Sequence, residues 1–403
     1  MKPASAPRTS GFTLVEIMIG LLIGMIGIVV IMQTFSVSEG YKRTSTSGSD
    51  AQVNGGLAMY LLQREIRLAG YGLNSLTPMG CTNIVAYNSN TGSTFSLRMV
   101  PLEINPAGIP AGDPGTDTIL ITYGSAENFV TGVGADQPSN SSANYTVRNN
   151  RDAFQPGDLV IAVQPGAGAG GGPTCLLQEV TLVPSASSCG AGGGNGSSEL
   201  IHNTGQYKNP NKNCQMTTPT YNKPSGITDP ATGNPMPALN SANGGTIFDI
   251  GPLPQVKVYA IRGGNLTVCD LMTQDCSVAA NFSPMVSGIV SLRAVYGKDT
   301  DGDGAVNGWD RNALLTAADA NSVVATAVEV TAKSGLKEKP SAGSGTCDTT
   351  TDAARPDPAQ DWFGAGLAAA SQIDLSGTAA DWQCYRYKLF QTSVPLRNMI
   401  WRP

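Results

Sequence analysis

The stretch YGKDTDGDGAVNGWD (296–310) concentrates the side chains of this chain best suited to chemistry. Counting from Asp299, the acids Asp301 and Asp303 fall at positions three and five, Gly304 at six, Asn307 at nine and Asp310 at twelve. Hard oxygen donors at this spacing wrap one Ca²⁺. The expected ligands are Asp299, Asp301, Asp303, the backbone carbonyl of Ala305, Asn307 (through water) and Asp310. Three carboxylates this close repel one another unless a cation sits among them. The competing reading is an acidic, glycine-rich turn with no ion, since Asp-Gly is a common turn dipeptide. The role expected of the ion is structural: it fixes a loop and makes stability or adhesion depend on external calcium.

The pattern is that of the EF-hand loop, where the glycine at six allows the sharp turn. Position twelve usually holds Glu, which reaches the ion through both oxygens. Asp310 is shorter, as in loops of the dockerin type. The flanks also depart from an EF-hand. SGIVSLRAVYG before the loop reads as a strand, and NALLTAADA (312–320) after it as a helix. The expectation is therefore a strand–loop–helix site.

Other reactive residues point to scaffolding. The eight cysteines (81, 175, 189, 214, 269, 276, 347 and 384) contain no CxxC pair, and the single histidine is His202. Zinc sites use Cys and His in close pairs, so zinc is not expected. An even, well-spaced set reads as disulfides in an oxidising compartment. The short separations suggest the local bridges Cys269–Cys276 and Cys175–Cys189. His202 lies in a loop-like stretch and reads as a surface residue. The glycine-rich runs at 167–173 and 190–198 do not end in GK[ST], which excludes a P-loop. Sequons such as Asn140 and Asn265 are frequent by chance in an Asn/Ser-rich chain. No constellation supports an enzyme. A net charge of −5 and a pI near 5.0 give no case for nucleic-acid binding.

One further carboxylate is conspicuous. SGFTLVEIMIGLLIGMIGIVVIMQTF (10–35) contains a single acid, Glu16. From Phe12 to Phe35 the run would reach ~36 Å as a helix, enough to cross a bilayer core of ~30 Å. A charge inside a bilayer costs roughly 2.5–3.5 kcal/mol, so a retained one suggests function. A secretory signal would have a shorter apolar core. A plain anchor leaves Glu16 unexplained.

GFTLVEIMIG resembles the processing site of type IV prepilins: a short basic leader, Gly11, Phe12 and an acid at the fifth position after the glycine. The resemblance implies cleavage after Gly11 by a prepilin peptidase and methylation of the new amine at Phe12. It also implies that Glu16 pairs with the amine of a neighbouring subunit during assembly. LLQREIRLAGY (61–71) and YRYKLFQTSVPLRNMIW (385–401) resemble segments of the PilW minor pilins. Together these resemblances imply a pilin that primes the type IV pilus and sits at its tip, in support of twitching motility and attachment. Its partners would be other minor pilins, the major pilin and the inner-membrane assembly machinery. It would be anchored by its helix with the head in the periplasm, and later displayed on the pilus at the cell surface. Two alternatives stand beside this: a type II secretion pseudopilin and a membrane-anchored calcium-dependent adhesin.

The elements that position these residues emerge from patterning. The 48 Gly and 26 Pro among 403 residues favour a loop-rich β protein. The fold class expected is α+β: a long N-terminal helix packed on a mainly antiparallel, loop-rich β head. Three parts are expected: leader 1–11, membrane and stalk helix 12–72, and head 73–403 carrying the loop at 299–310. Met59, Leu62, Ile66 and Ala69 share one helical face. Gly48, Gly55 and Gly56 predict a fray or bend in the stalk, and Gly70 and Gly72 its end. Strands are expected at 95–100, 117–123, 158–163, 175–183, 256–261, 266–271, 289–296, 325–332 and 385–393. Gly263 and Gly264 mark a hairpin turn. Residues 203–245 and 335–361 read as long loops.

Overall fold

A computed structural model describes residues 11–73, 81, 84–90, 92–127, 132–139, 142–148, 154–166, 173–184, 189, 198–223, 226–228, 235–312, 314, 316–340, 345–354, 375 and 380–400. The leader through Ser10, most of both glycine-rich runs and the sequon at Asn140 lie outside these residues.

Helix α1, Leu14–Leu68, is continuous over 55 residues. Gly48, Gly55 and Gly56 do not interrupt it, so the fray expected from propensity does not occur. A Cβ on Gly55 would lie 2.1 Å from the Phe390 ring. That glycine admits a neighbour instead of breaking the helix. Met59, Leu62, Ile66 and Ala69 are all buried, as their spacing predicts. Each large apolar side chain so buried contributes roughly 1.5–3 kcal/mol. Gly70, at φ +78, turns the chain out of the helix.

Four sheets follow, among the described residues. The first has the order β2-β1-β8-β7-β12-β5-β6-β9. Its strands are β1 Ile84–Asn88, β2 Ser93–Leu97, β5 Val133–Asp136, β6 Asn144–Val147, β7 Leu159–Gln164, β8 Thr174–Glu179, β9 Glu199–Ile201 and β12 Thr246–Gly251. The second, β15-β14-β13-β4-β3, comprises β3 Leu102–Ile104, β4 Ile119–Tyr123, β13 Gln255–Arg262, β14 Asn265–Asp270 and β15 Ser283–Ser287. The third, β17-β16-β18-β19, comprises β16 Ile289–Lys298, β17 Gly308–Asp310, β18 Val323–Lys333 and β19 Tyr387–Pro395. A short hairpin joins β10 Tyr207–Asn209 to β11 Gln215–Thr217. Pairing is antiparallel except between β1 and β8. The fold is thus α+β, and each expected strand overlaps an observed one.

The second half of α1 packs chiefly on β18 and β19. One core cluster joins that helix face to the second and third sheets and to one face of the first. A separate cluster, including Val160, Ala162, Ile247 and Tyr145, fills the other face of the first sheet. Residues 203–245, expected to be a long surface excursion or a disordered loop, contribute to the core where they are described. Tyr207, Asn222, Met236 and Leu239 are buried there.

Cys269–Cys276 forms as expected. The expected Cys175–Cys189 bridge does not. Cys175 joins Cys81 beside the parallel β1–β8 pair, Cys189 joins Cys214, and Cys347 joins Cys384. Sheet pairing, not sequence distance, brings Cys81 within reach of Cys175. In the observed register Ile84 lies opposite Cys175.

Candidate functional site

The acidic loop leaves β16 and returns as β17. Two glycines allow the reversal, Gly302 at φ +82 and Gly304 at φ +84. The Asp299 carboxylate accepts the amides of Gly302 (2.6 Å) and Gly304 (2.8 Å), and Asp303 accepts that of Ala305 (2.8 Å). The Gly304 amide is foremost in holding the Asp299 carboxyl below the usual carboxylate range. Oxygens of Asp299, Asp301 and Asp303 lie within 4.8 Å of one another. With Ca–O distances of ~2.3–2.6 Å, one ion could touch all three. The side chain of Asn307 accepts from the Thr300 amide at 3.0 Å, and Asp310 pairs with Lys298 at 3.0 Å. The structure therefore gathers three of the predicted ligands and turns Asp310 toward a lysine. The helix expected over 312–320 is shorter and later, Ala317–Ser322.

The loop is tied to the rest of the head. Arg311, next to Asp310, pairs with Asp117, which also accepts the Ala294 amide at 2.9 Å. The position of a Cβ on Gly304 is 3.6 Å from Ile400. Ile400 ends the short helix Arg397–Ile400. From that helix Asn398 donates its side-chain amide to the carbonyls of Arg67, Leu68 and Ala69, at 3.1–3.4 Å. Those are the orphan acceptors of a helix end. The C-terminal segment thus caps the stalk.

A second clamp is not legible from patterning. The helical spacing places Glu65 off the buried face, yet it is 3% exposed. It accepts from the Tyr123 hydroxyl (2.8 Å) and pairs with Arg64 (2.8 Å) and Lys257 (3.5 Å). Burial pushes its carboxyl up, but Arg64, Tyr123 and Lys257 outweigh that and hold it below its ordinary value. At the other end of α1, Glu16 and Thr13 form a capping box: the Thr13 amide donates to Glu16 at 2.9 Å. Phe12 is exposed. The first half of α1 is apolar and unburied, with mean hydropathy 2.8 in its best window, and is long and apolar enough to cross a membrane.

His202 is not on the surface. It is 7% exposed and stacks on Tyr145 at 4.3 Å. Burial lowers its pKa to about 4. Strand β9 and its continuation carry it into the second core, a placement that no local pattern reveals.

Two family models match the chain. Type IV pilus-assembly protein W matches residues 258–398, and the prokaryotic N-terminal methylation motif matches residues 7–32. Over these two stretches the chain resembles a PilW-like type IV pilin. No curated protein and no solved structure matches it significantly. The PilW-like region runs from β13 to Asn398, so it contains both the acidic loop and the cap on the stalk. The whole of the first sheet lies outside it.

Proposed function

We propose that this chain is a minor pilin acting in initiation and assembly of the type IV pilus, within the complex at its tip. Cleavage after Gly11 frees an amine at Phe12. The apolar half of α1 first holds the protein in the inner membrane, with the head in the periplasm, and then packs among the helices of other minor pilins and the major pilin. Glu16 pairs with the freed amine of a neighbour, which neutralises two charges that would be costly alone. Twitching motility and attachment depend on this step. The observation that carries the reading is the agreement of both chain ends: a methylation motif on an unburied apolar helix, and a PilW-like region that docks the same helix. The test is a deletion strain scored for surface pili and complemented with Glu16→Ala. Pili lost on deletion and not restored by the variant are expected. Full rescue overturns the role of Glu16. Normal pili with failed attachment favour a calcium-dependent adhesin, and failed protein export with normal pili favours a secretion pseudopilin.

The acidic loop is proposed to hold a structural calcium ion through Asp299, Asp301 and Asp303, with Ala305 and Asn307 adding to the shell and Asp310 completing it once it leaves Lys298. The three gathered carboxylates support this. Calcium titration of the detergent-solubilised chain should lose one bound ion in the Asp299→Ala/Asp303→Ala variant. Unchanged stoichiometry rules the loop out.

A further inference from the structure

A second set of acids lies elsewhere, outside both family matches. Asp158 directly precedes β7, and Asp249 lies in β12, opposite Val160. Residues two apart on a strand share a face, so Asp158, Val160 and Asp249 project to one side of the sheet. The ladder slips between Asp249 and Gly251. Gly251 sits at φ +80, where a Cβ would meet the Ala126 amide nitrogen at 2.2 Å. That close approach draws the 125–127 segment over the two acids. Gly157, at φ +101, brings the turn before Asp158 against Asn209 in the same way.

The result is a cavity of about 140 Å³, lined by Asp158, Asp249, Glu127, Ser125, Gln155 and Asn211, with Pro252 at its edge. Asp158 and Asp249 are only 6% and 7% exposed. Each has one oxygen satisfied: Asp158 accepts the Gln155 amide at 2.6 Å, and Asp249 accepts the Gly251 amide at 2.8 Å. The remaining oxygen of each has no donor among the described residues, and no Lys, Arg or His among them pairs with either acid. Burial first, and for Asp158 also the charge of Asp249, push both carboxyls above their ordinary values. Buried carboxylates without a partner are costly, and buried charges are normally paired or bind metal. Among the described residues, the rest of the lining supplies one more carboxylate, a hydroxyl and two amides, all hard oxygen donors.

We propose that this cavity is a divalent-cation site of the calcium class, held by Asp158 and Asp249 and completed by Glu127 at its rim. An anion or an apolar ligand is disfavoured by the charge. The volume suits one ion with a few waters, since each water occupies ~30 Å³. Calcium tolerates the irregular, six- to eight-oxygen shell that such a lining offers, whereas magnesium demands an octahedron. The site is independent of the acidic loop and of the pilus reading.

The experiment uses the full chain in detergent, with calcium as the only probe. Asp299→Asn/Asp303→Asn first silences the loop. That background is expected to retain one calcium per chain and to unfold at a higher temperature with calcium than in chelator. Adding Asp249→Asn, or Asp158→Asn, should abolish both the ion and the calcium-dependent rise. These variants keep the side-chain size and remove repulsion, so they should fold in chelator. Glu127→Gln lies at an exposed position and should weaken calcium about tenfold, because ligand charge tunes affinity. Two results overturn the proposal. One is a background that binds no calcium, which would mean the acids share a proton only. The other is a residual ion that survives both Asp158→Asn and Asp249→Asn.

Discussion

The two acidic sites are built in opposite ways. The loop draws Asp299, Asp301 and Asp303 from five consecutive residues, leaves them largely in solvent, and answers their charge with local backbone amides. The cavity draws Asp158 and Asp249 from strands 91 positions apart, buries both, and gives each a single amide. Solvent makes the first arrangement inexpensive without an ion, and burial makes the second expensive. The loop therefore needs no cation to keep its fold, while the stability of the first sheet depends on how the charge of the cavity acids is met.

Glycine substitution separates the two most strongly. Gly251 and Gly302 have nearly the same φ, +80 and +82, but a Cβ meets backbone at Gly251 and open space at Gly302. Gly251→Ala should cost ~3 kcal/mol or more, from left-handed strain plus overpacking, and Gly302→Ala about 1 kcal/mol. Urea unfolding in chelator measures both. Equal costs would mean that the 125–127 segment does not press on the bulge.

The pH dependence should differ in sign. Asp158 and Asp249 have folded-state values raised to about 7 and about 6. The stability they contribute is present below about pH 4 and lost as pH rises through these values. Asp249→Asn should remove a loss on the order of 3 kcal/mol between pH 4 and 8 in chelator. Asp299 is lowered, so its contribution is present above the carboxylate range and lost as pH falls through it. Asp299→Asn should leave the curve above pH 5 unchanged. Unfolding midpoints across this range decide the matter, and curves of the same slope would erase the contrast.

His202 sharpens the comparison within the second core. Its folded value is lowered to about 4 by burial, so stability is lost as pH falls below about 6.5. His202→Phe should stabilise the chain by ~1–2 kcal/mol at pH 5 relative to its effect at pH 8. A pH-independent difference would show that the imidazole is never forced to stay neutral. The smallest effect belongs to the stalk cap. Asn398→Ala should cost ~0.5–1.5 kcal/mol, seen as faster amide exchange over the last turn of α1 with little change elsewhere.

How much of the molecule is legible in its sequence depends on distance along the chain. The DxDxDG spacing, the stalk face, the Gly263–Gly264 turn and the Cys269–Cys276 bridge are local, and the structure contains each of them. The Gly263 and Gly264 amides are even held by one carboxylate, Asp113, at 3.0 and 2.9 Å. Local inference fails on non-local facts. Gly55 looks like a helix breaker because propensity counts backbone entropy and not the Phe390 ring that needs the space. Cys175 looks like a partner for Cys189 because their separation is short, but the parallel β1–β8 pairing decides otherwise. Glu65 and His202 are polar residues whose burial is set by Tyr123, Lys257 and Tyr145, none of them near in sequence. The cavity acids leave no trace in any short window.

Asn398 hydrogen-bonds the end of a helix that was synthesised some 330 residues earlier. The strands on which that helix packs, β18 and β19, also come late. At ~5–20 residues per second, the apolar face of Met59, Leu62 and Ile66 waits on the order of tens of seconds for its cover. An early element of the chain is seated by late ones. A ribosome stalled before residue 398 would leave a finished helix with an unfinished seat.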